Sequence, residues 1–358
     1  MDQRLLHKVV KRLEEGTLRS LSHFEGFIDF FSNDYLGLSK VKVENENHSQ
    51  ASTGSRLISG TSSTILLAEK ELTIFFNSQS ALFFNSGYDA NLGFFSSVPQ
   101  RGDTIIYDEF IHASVRDGIR LSFANHFAFS HNDIDDLRKK ITSAKGTIYV
   151  AIEALYSMDG DLGPIQQIQE LCTENNAYLI VDEAHSSGVY GEGGRGLVSM
   201  LKLEGKIFAR LVTFGKAYGS HGAVILGSEK LIQYLTNFAR SFIYTTALPD
   251  ATINRNVKIA QRNDINERRS QLQSNIDYFR ANCKNEGLIS EVNSPIQIVE
   301  IGTISETKRT AKCLQENKLA VKPIFSPTVA KGKERLRLCF HSFNTKEEIS
   351  RLIELLNI

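Results

Sequence analysis

Between residues 81 and 226, short β-rich runs alternate with helix-patterned segments, and that alternation leaves few possible architectures. The runs are Ala81–Phe84, Thr104–Tyr107, Thr147–Ile152, Tyr178–Asp182, Leu211–Phe214 and Ala223–Leu226. Thr64–Asn77 places Ile65, Ala68, Leu72, Phe75 and Phe76 on one helical face, the 3.6-residue period of a buried stripe. Pro164 followed by Ile165, Ile168, Leu171 and Cys172 predicts a helix with proline in its first turn. Strands separated by helices fold as a layered α/β domain with a mostly parallel sheet, here spanning 41–248. Ligands of such sheets gather outside the carboxyl ends of the strands.

Beyond Leu248-Pro249 the pattern changes. A polar helix over Asn266–Asn285 stops near Gly287, and strands Ile296–Ile301 and Arg335–His341 follow. Thr345-Lys346-Glu347-Glu348 opens a last helix with a capping-box pattern. Residues 249–358 therefore read as a small α+β C-terminal domain, and residues 1–40 as an N-terminal arm. Val43–Ser52 is polar and is expected to be a mobile loop.

Composition removes several classes of function. Lys plus Arg equals Asp plus Glu, 41 each, so no global field points to nucleic acid or an anionic membrane. No apolar run approaches the ~20 residues that span a bilayer. Met1–Glu15 reads as an amphipathic helix without a signal-peptide core. Cys172, Cys283, Cys313 and Cys339 are scattered, with no spacing for zinc, and read as reduced packing residues of a cytoplasmic protein. No metal site is expected.

The strand Tyr178–Asp182 leads into Asp182-Glu183-Ala184-His185, and Lys216, 34 residues after Asp182, lies in Thr213-Phe214-Gly215-Lys216-Ala217-Tyr218-Gly219 after the next strand. A lysine amine that forms a Schiff base, an acid for a pyridine nitrogen and a histidine for a phenolic oxygen together suit pyridoxal 5'-phosphate. Alone, each has a plainer reading: a solvated surface lysine, a turn-capping acid, a satisfied core histidine. Ser86-Gly87-Tyr88 sits at a strand–turn–helix junction whose free N–H groups suit a phosphate, or is an ordinary glycine turn. His112, past Thr104–Tyr107, suits stacking on a pyridine ring, or caps a helix. Ser157 follows the next strand and could donate to the ring oxygen, or is a plain turn serine. Gly191–Gly196 satisfies G-x-G-x-x-G but follows no strand directly, so a flexible loop is the better reading.

These residues, with Asn33–Leu38, Thr53–Arg56, Ser157–Asp161, Pro327-Thr328 and Arg335–Leu338, resemble the α-oxoamine synthases over nearly the whole chain. Those are fold-type I pyridoxal-phosphate enzymes that join an amino acid to an acyl thioester with loss of CO2. The resemblance implies that Lys216 is the Schiff-base lysine, Asp182 the pyridinium partner and His112 the stacking histidine. It places His185 and Ser157 at the phenolic oxygen, Thr213 near lysine and phosphate, and Gly87 and Tyr88 at the phosphate. Arg337 matches the arginine for the amino-acid carboxylate, Thr328 and Asn33 substrate contacts, and Arg19 an arginine near the acyl group. A homodimer is implied, with Tyr244-Thr245-Thr246 crossing to the neighbouring site. Ser220–Val224 after the lysine loop points to the branch that condenses L-alanine with a pimeloyl thioester in biotin biosynthesis, rather than a glycine-using acetyltransferase. A silent scaffold subunit would lack Lys216, and an aminotransferase would lack the contexts of His112 and Arg337.

Overall fold

The computed structural model describes residues 2–44 and 47–357. Asn45 and Glu46, part of the expected loop Val43–Ser52, lie outside the described residues. The chain divides into a larger unit, 33–157 with 162–270, and a smaller one, 1–32 with 158–161 and 271–358. The expected boundary at 248 falls inside the larger unit. The reason is packing: the helix Asp250–Ala260 lies on Ser63–Phe76, and Arg255 donates to the carbonyls of Leu38, Val41 and Gly219.

Among the described residues the strands are β1 (Ile28–Asp29), β2 (Ser80–Phe84), β3 (Thr104–Asp108), β4 (Asn125–Phe129), β5 (Ile148–Glu153), β6 (Tyr178–Asp182), β7 (Ala209–Thr213), β8 (Ala223–Gly227), β9 (Ile296–Glu300), β10 (Leu319–Ala320), β11 (Lys322–Ile324) and β12 (Arg335–Cys339). The larger unit holds the seven-stranded sheet β2-β8-β7-β6-β5-β3-β4, in which only β8 runs against its neighbours. Alternate residues feed two cores. Ile105, Ala151, Ile180 and Leu211 face one, and Ile106, Val150, Leu179 and Val181 the other, as the two-residue period of a doubly covered sheet requires. The expected strands all form. β4 was not legible because Asn125–Ala128 is solvent-exposed at the sheet edge and carries no apolar alternation.

The smaller unit contains the antiparallel sheet β11-β12-β9 and the pair β1-β10. Phe340 stacks between Phe30 and Phe279, with ring centroids 5.6 and 4.6 Å away. The final helix Lys346–Leu356 opens on the expected box, Thr345 and Glu348 capping each other's backbone. Cys172, Cys283 and Cys339 are buried as expected of packing residues, but Cys313 is exposed.

Candidate active site

β5 and β6 deliver Glu153 and Asp182 side by side at the carboxyl edge of the sheet, and β7 ends there in Thr213, two residues beyond Leu211, the register partner of Asp182. Asp182 is 6% exposed, and both its oxygens are engaged: Oδ1 accepts from the Ala184 N–H at 2.9 Å and Oδ2 from Asn91 at 2.8 Å. Asn91 also donates to Ser114 Oγ at 3.0 Å, and Ser114 Oγ lies 2.7 Å from His112 Nδ1. The Ser114 N–H reaches the same Nδ1, so this nitrogen is an acceptor and the His112 proton sits on Nε2. His112 thus does cap the helix Ala113–Leu121, and the residue remains exposed, as a stacking partner needs. Burial holds its pKa below the usual imidazole value, the nearby Asp182 carboxylate opposes this, and Lys216 adds to it.

The lysine follows β7 through Phe214 and Gly215. Gly219 closes the loop at φ +55°, and a Cβ there would lie 2.1 Å from the Ser39 nitrogen. That close approach brings the Asn33–Leu38 segment against the lysine loop. Lys216 Nζ lies 2.8 Å from His185 Nε2, and His185 Nδ1 lies 2.7 Å from the hydroxyl of Tyr35, which donates to Asn33 Oδ1 at 3.2 Å. Thr213 Oγ1 donates to the Gly222 carbonyl at 3.2 Å. Ser157 is half-buried in the turn after β5. Glu153 is fully enclosed, and burial and the Asp182 carboxylate push its pKa up to about 8, against the pull of Lys216. At neutral pH Glu153 is therefore mostly a neutral acid.

At the phosphate end, Ser86 caps the helix Gly87–Ser97 by accepting from the Asp89 N–H, leaving the Gly87 and Tyr88 backbone N–H groups at the helix opening. The Tyr88 side chain turns to Asp117 instead. Asn85 donates to Thr245 Oγ1 at 3.0 Å and to the Thr246 carbonyl at 2.7 Å, so this chain's own Thr245 and Thr246 are tied beside the turn.

The remaining candidates belong to the smaller unit. Arg19 donates to Thr328 Oγ1 at 3.5 Å, in a cleft of about 610 Å³ also lined by Leu18, Leu21, Ile324 and Phe325. Arg337 is buried on β12, its Nη1 2.9 Å from Cys339 Sγ, two residues along the same strand face. Arg335, its neighbour on that face, is taken up by Asp159 at 2.6 Å and Glu300 at 3.7 Å.

Four residues of the site were not picked out from the sequence: Tyr35, Asn91, Ser114 and Glu153. Glu153 had a signal, since its apolar run ends in an acid one strand from Asp182. The Gly191–Gly196 loop is not loose. A Cβ on Gly196 would lie 2.3 Å from Glu183 Oε1, and Arg210 and Tyr218 donate to the carbonyls of Arg195 and Gly194 at 2.8 Å each. It covers the buried Glu183–Arg210 pair, which explains its glycines without a nucleotide.

A buried, doubly hydrogen-bonded acid, a lysine within reach of a histidine, an open imidazole and a helix opening match the four ends of pyridoxal phosphate. On this sheet they define a fold-type I pyridoxal-phosphate enzyme. The aminotransferase class I and II family model matches residues 25–356. An 8-amino-7-oxononanoate synthase of Emericella nidulans is 39% identical over 91% of this chain and 88% of its own. The solved 8-amino-7-oxononanoate synthase of Francisella tularensis is 31% identical, covers 93% of this chain and 97% of its own, and superposes with a TM-score of 0.78. Sphingomonas wittichii serine palmitoyltransferase, 24% identical, shares the fold with a TM-score of 0.91 over 99% of this chain and 96% of its own. The chain belongs to the class I and II aminotransferase family, on its α-oxoamine synthase branch. Among the described residues no helix is long and apolar enough to cross a membrane.

Proposed function

We propose that this enzyme condenses L-alanine with a pimeloyl thioester, releasing CO2 and free thiol, to give 8-amino-7-oxononanoate for biotin biosynthesis. The observation that carries the reading is the Lys216–His185 contact at 2.8 Å beside the buried Asp182, in a chain 39% identical to a synthase of that name. Bound there, pyridoxal phosphate supplies an electron sink for the alanine Cα. Asp182, its carboxylate fixed by Asn91 and the Ala184 N–H, would hold the proton on the pyridine nitrogen. His112, oriented by Ser114, would stack on the ring. The backbone N–H groups of Gly87 and Tyr88 would hold the phosphate. Lys216 Nζ would act as the base for the alanine Cα proton. Arg337 grips the amino-acid carboxylate through two N–H groups. Arg19 and Thr328 receive the acyl part.

We place the enzyme in the cytoplasm as a homodimer, with Thr246 of one protomer completing the phosphate site of the other. Tyr244, 72% exposed, supports an interface at this segment. The test is thiol release over a grid of alanine and glycine against pimeloyl and acetyl thioesters. Alanine with the pimeloyl donor is the expected best pair. A clear preference for glycine with acetyl-CoA would overturn the substrate assignment.

A further inference from the structure

The line Asn33–Tyr35–His185–Lys216 has a direction. The Tyr35 hydroxyl donates its one proton to Asn33 Oδ1, so its oxygen is left to accept from His185 Nδ1. Nδ1 then carries the imidazole proton, and Nε2, 2.8 Å from Lys216 Nζ, presents its lone pair to the lysine. Tyr35 is fully buried and His185 is 4% exposed, so water does not compete for the bond between them.

We propose that His185, held in this tautomer by Tyr35, is the base that readies Lys216 to capture the cofactor. A lysine free in water is almost wholly ammonium at neutral pH, and an ammonium has no lone pair with which to attack an aldehyde. His185 Nε2 takes a proton from Lys216, leaving a neutral amine and an imidazolium whose Nδ1–H still donates to Tyr35. The amine nitrogen forms a bond to the aldehyde carbon of pyridoxal phosphate. The aldehyde oxygen leaves as water, carrying one proton from the amine and the proton that His185 had taken, so His185 returns to its starting state. Tyr35 acts through His185, whose Nδ1 lies 2.7 Å from its hydroxyl. If Nε2 carried the proton instead, it would point a hydrogen at Lys216 and could accept none. The inference rests on pyridoxal phosphate being the cofactor, and it concerns loading rather than turnover.

The experiment measures how fast the apoprotein binds pyridoxal phosphate, followed by the long-wavelength absorbance of the bound cofactor, in wild type and in Tyr35→Phe and Asn33→Leu. In parallel, nitrogen-15 NMR of histidine-labelled apoprotein reads the tautomer of His185. Wild type is expected to load quickly and to show His185 protonated on Nδ1. Tyr35→Phe is expected to load about tenfold more slowly, the size of one lost hydrogen bond to a charged group. Asn33→Leu keeps the tyrosine but frees its proton for Nδ1, so slow loading with the opposite tautomer is expected even if Tyr35→Phe folds poorly. Wild-type loading rates in both variants, or an Nε2-protonated His185 in the wild type, would overturn the proposal. A wild-type apoprotein that takes up no pyridoxal phosphate would instead overturn the cofactor reading beneath it.

Discussion

Asp182, His185 and Tyr35 in the larger unit and Arg19 and Thr328 in the smaller one are held in opposite ways. In the larger unit Asp182, His185 and Tyr35 are buried, with Asp182 bonded to Asn91 and the Ala184 N–H at 2.8 and 2.9 Å and His185 to Tyr35 at 2.7 Å. In the smaller unit Arg19 and Thr328 are exposed, and their one mutual bond is 3.5 Å long. Electrostatic preorganisation strengthens when water is excluded, so a group that must steady a developing charge gains most in the dry region. The cleft of Arg19 and Thr328 is open, which suits the admission and release proposed for it. Substitutions in the first region should therefore cost chemistry or fold, and those in the second should cost affinity.

The largest expected effect is that of Lys216→Ala. Borohydride should fix the cofactor covalently to the wild type and not to this variant, and condensation should be lost. A persistent covalent label would remove Lys216 from its role. Next comes the buried pair under the Gly191–Gly196 loop, where Arg210 meets Glu183 at 2.7 Å with both side chains almost fully enclosed. Arg210→Met leaves an uncompensated buried carboxylate, at a cost of about 3–5 kcal/mol. Denaturant midpoints should show that loss, and adding Glu183→Gln should recover part of it. Arg337→Lys keeps the charge but loses the fork. It should raise the alanine KM about tenfold, about 1.4 kcal/mol, and leave kcat nearly unchanged. A fall in kcat alone would mean that Arg337 belongs with the preorganised region instead.

Glu153 sharpens the contrast through pH. Its folded pKa stands at about 8 against an ordinary 4.5, so between those values the folded protein holds a proton that the unfolded chain has released. Stability from this group is therefore full below pH 4.5 and drains away as pH rises toward 8. Glu153→Gln mimics the neutral acid, and its denaturation midpoints should fall less steeply over that window than those of the wild type. Parallel curves would show Glu153 ionised in the folded protein.

Legibility in the sequence followed the same division. Asp182, His185 and Lys216 were readable because each sits a fixed step past an apolar run, and the sheet brings run ends together. Tyr35 and Asn91 were not, because nothing local in a strand-less segment or an ordinary helix says which strand end it will face. β4 was hidden by exposure, which removes the apolar period. The domain boundary was misread because Pro249 marks the start of a helix that packs back on the larger unit. Arg19 and Thr328 meet across 309 residues of chain, and only the fold joins them.

The smallest expected effect concerns what the open region recognises. The cleft of Arg19 shares Arg12, Thr17 and Ser326 with a second cleft of about 670 Å³, lined also by Lys8, Lys11 and Lys331 against the acids Glu15 and Glu334. The chain as a whole is balanced at 41 positive and 41 negative residues, so this is a local excess and not a global field. The helix Gln3–Glu14 that carries Lys8 and Lys11 has no buried residue, and its lysines act through solvent, where screening is strong. If the nucleotide phosphates of CoA lie in this second cleft, Lys8→Glu with Lys11→Glu should raise the KM for pimeloyl-CoA about fivefold at low salt, on the scale of ~1 kcal/mol for exposed charges. The difference should shrink toward nothing at about 0.5 M salt. Pimeloyl-pantetheine, which lacks those phosphates, should keep its KM in the variant, and alanine should keep its own. An equal rise for both donors would mean that the helix shapes the cleft rather than reads charge. The contrast between a dry, prepaired region and an open, screened one would then hold for the cofactor side alone.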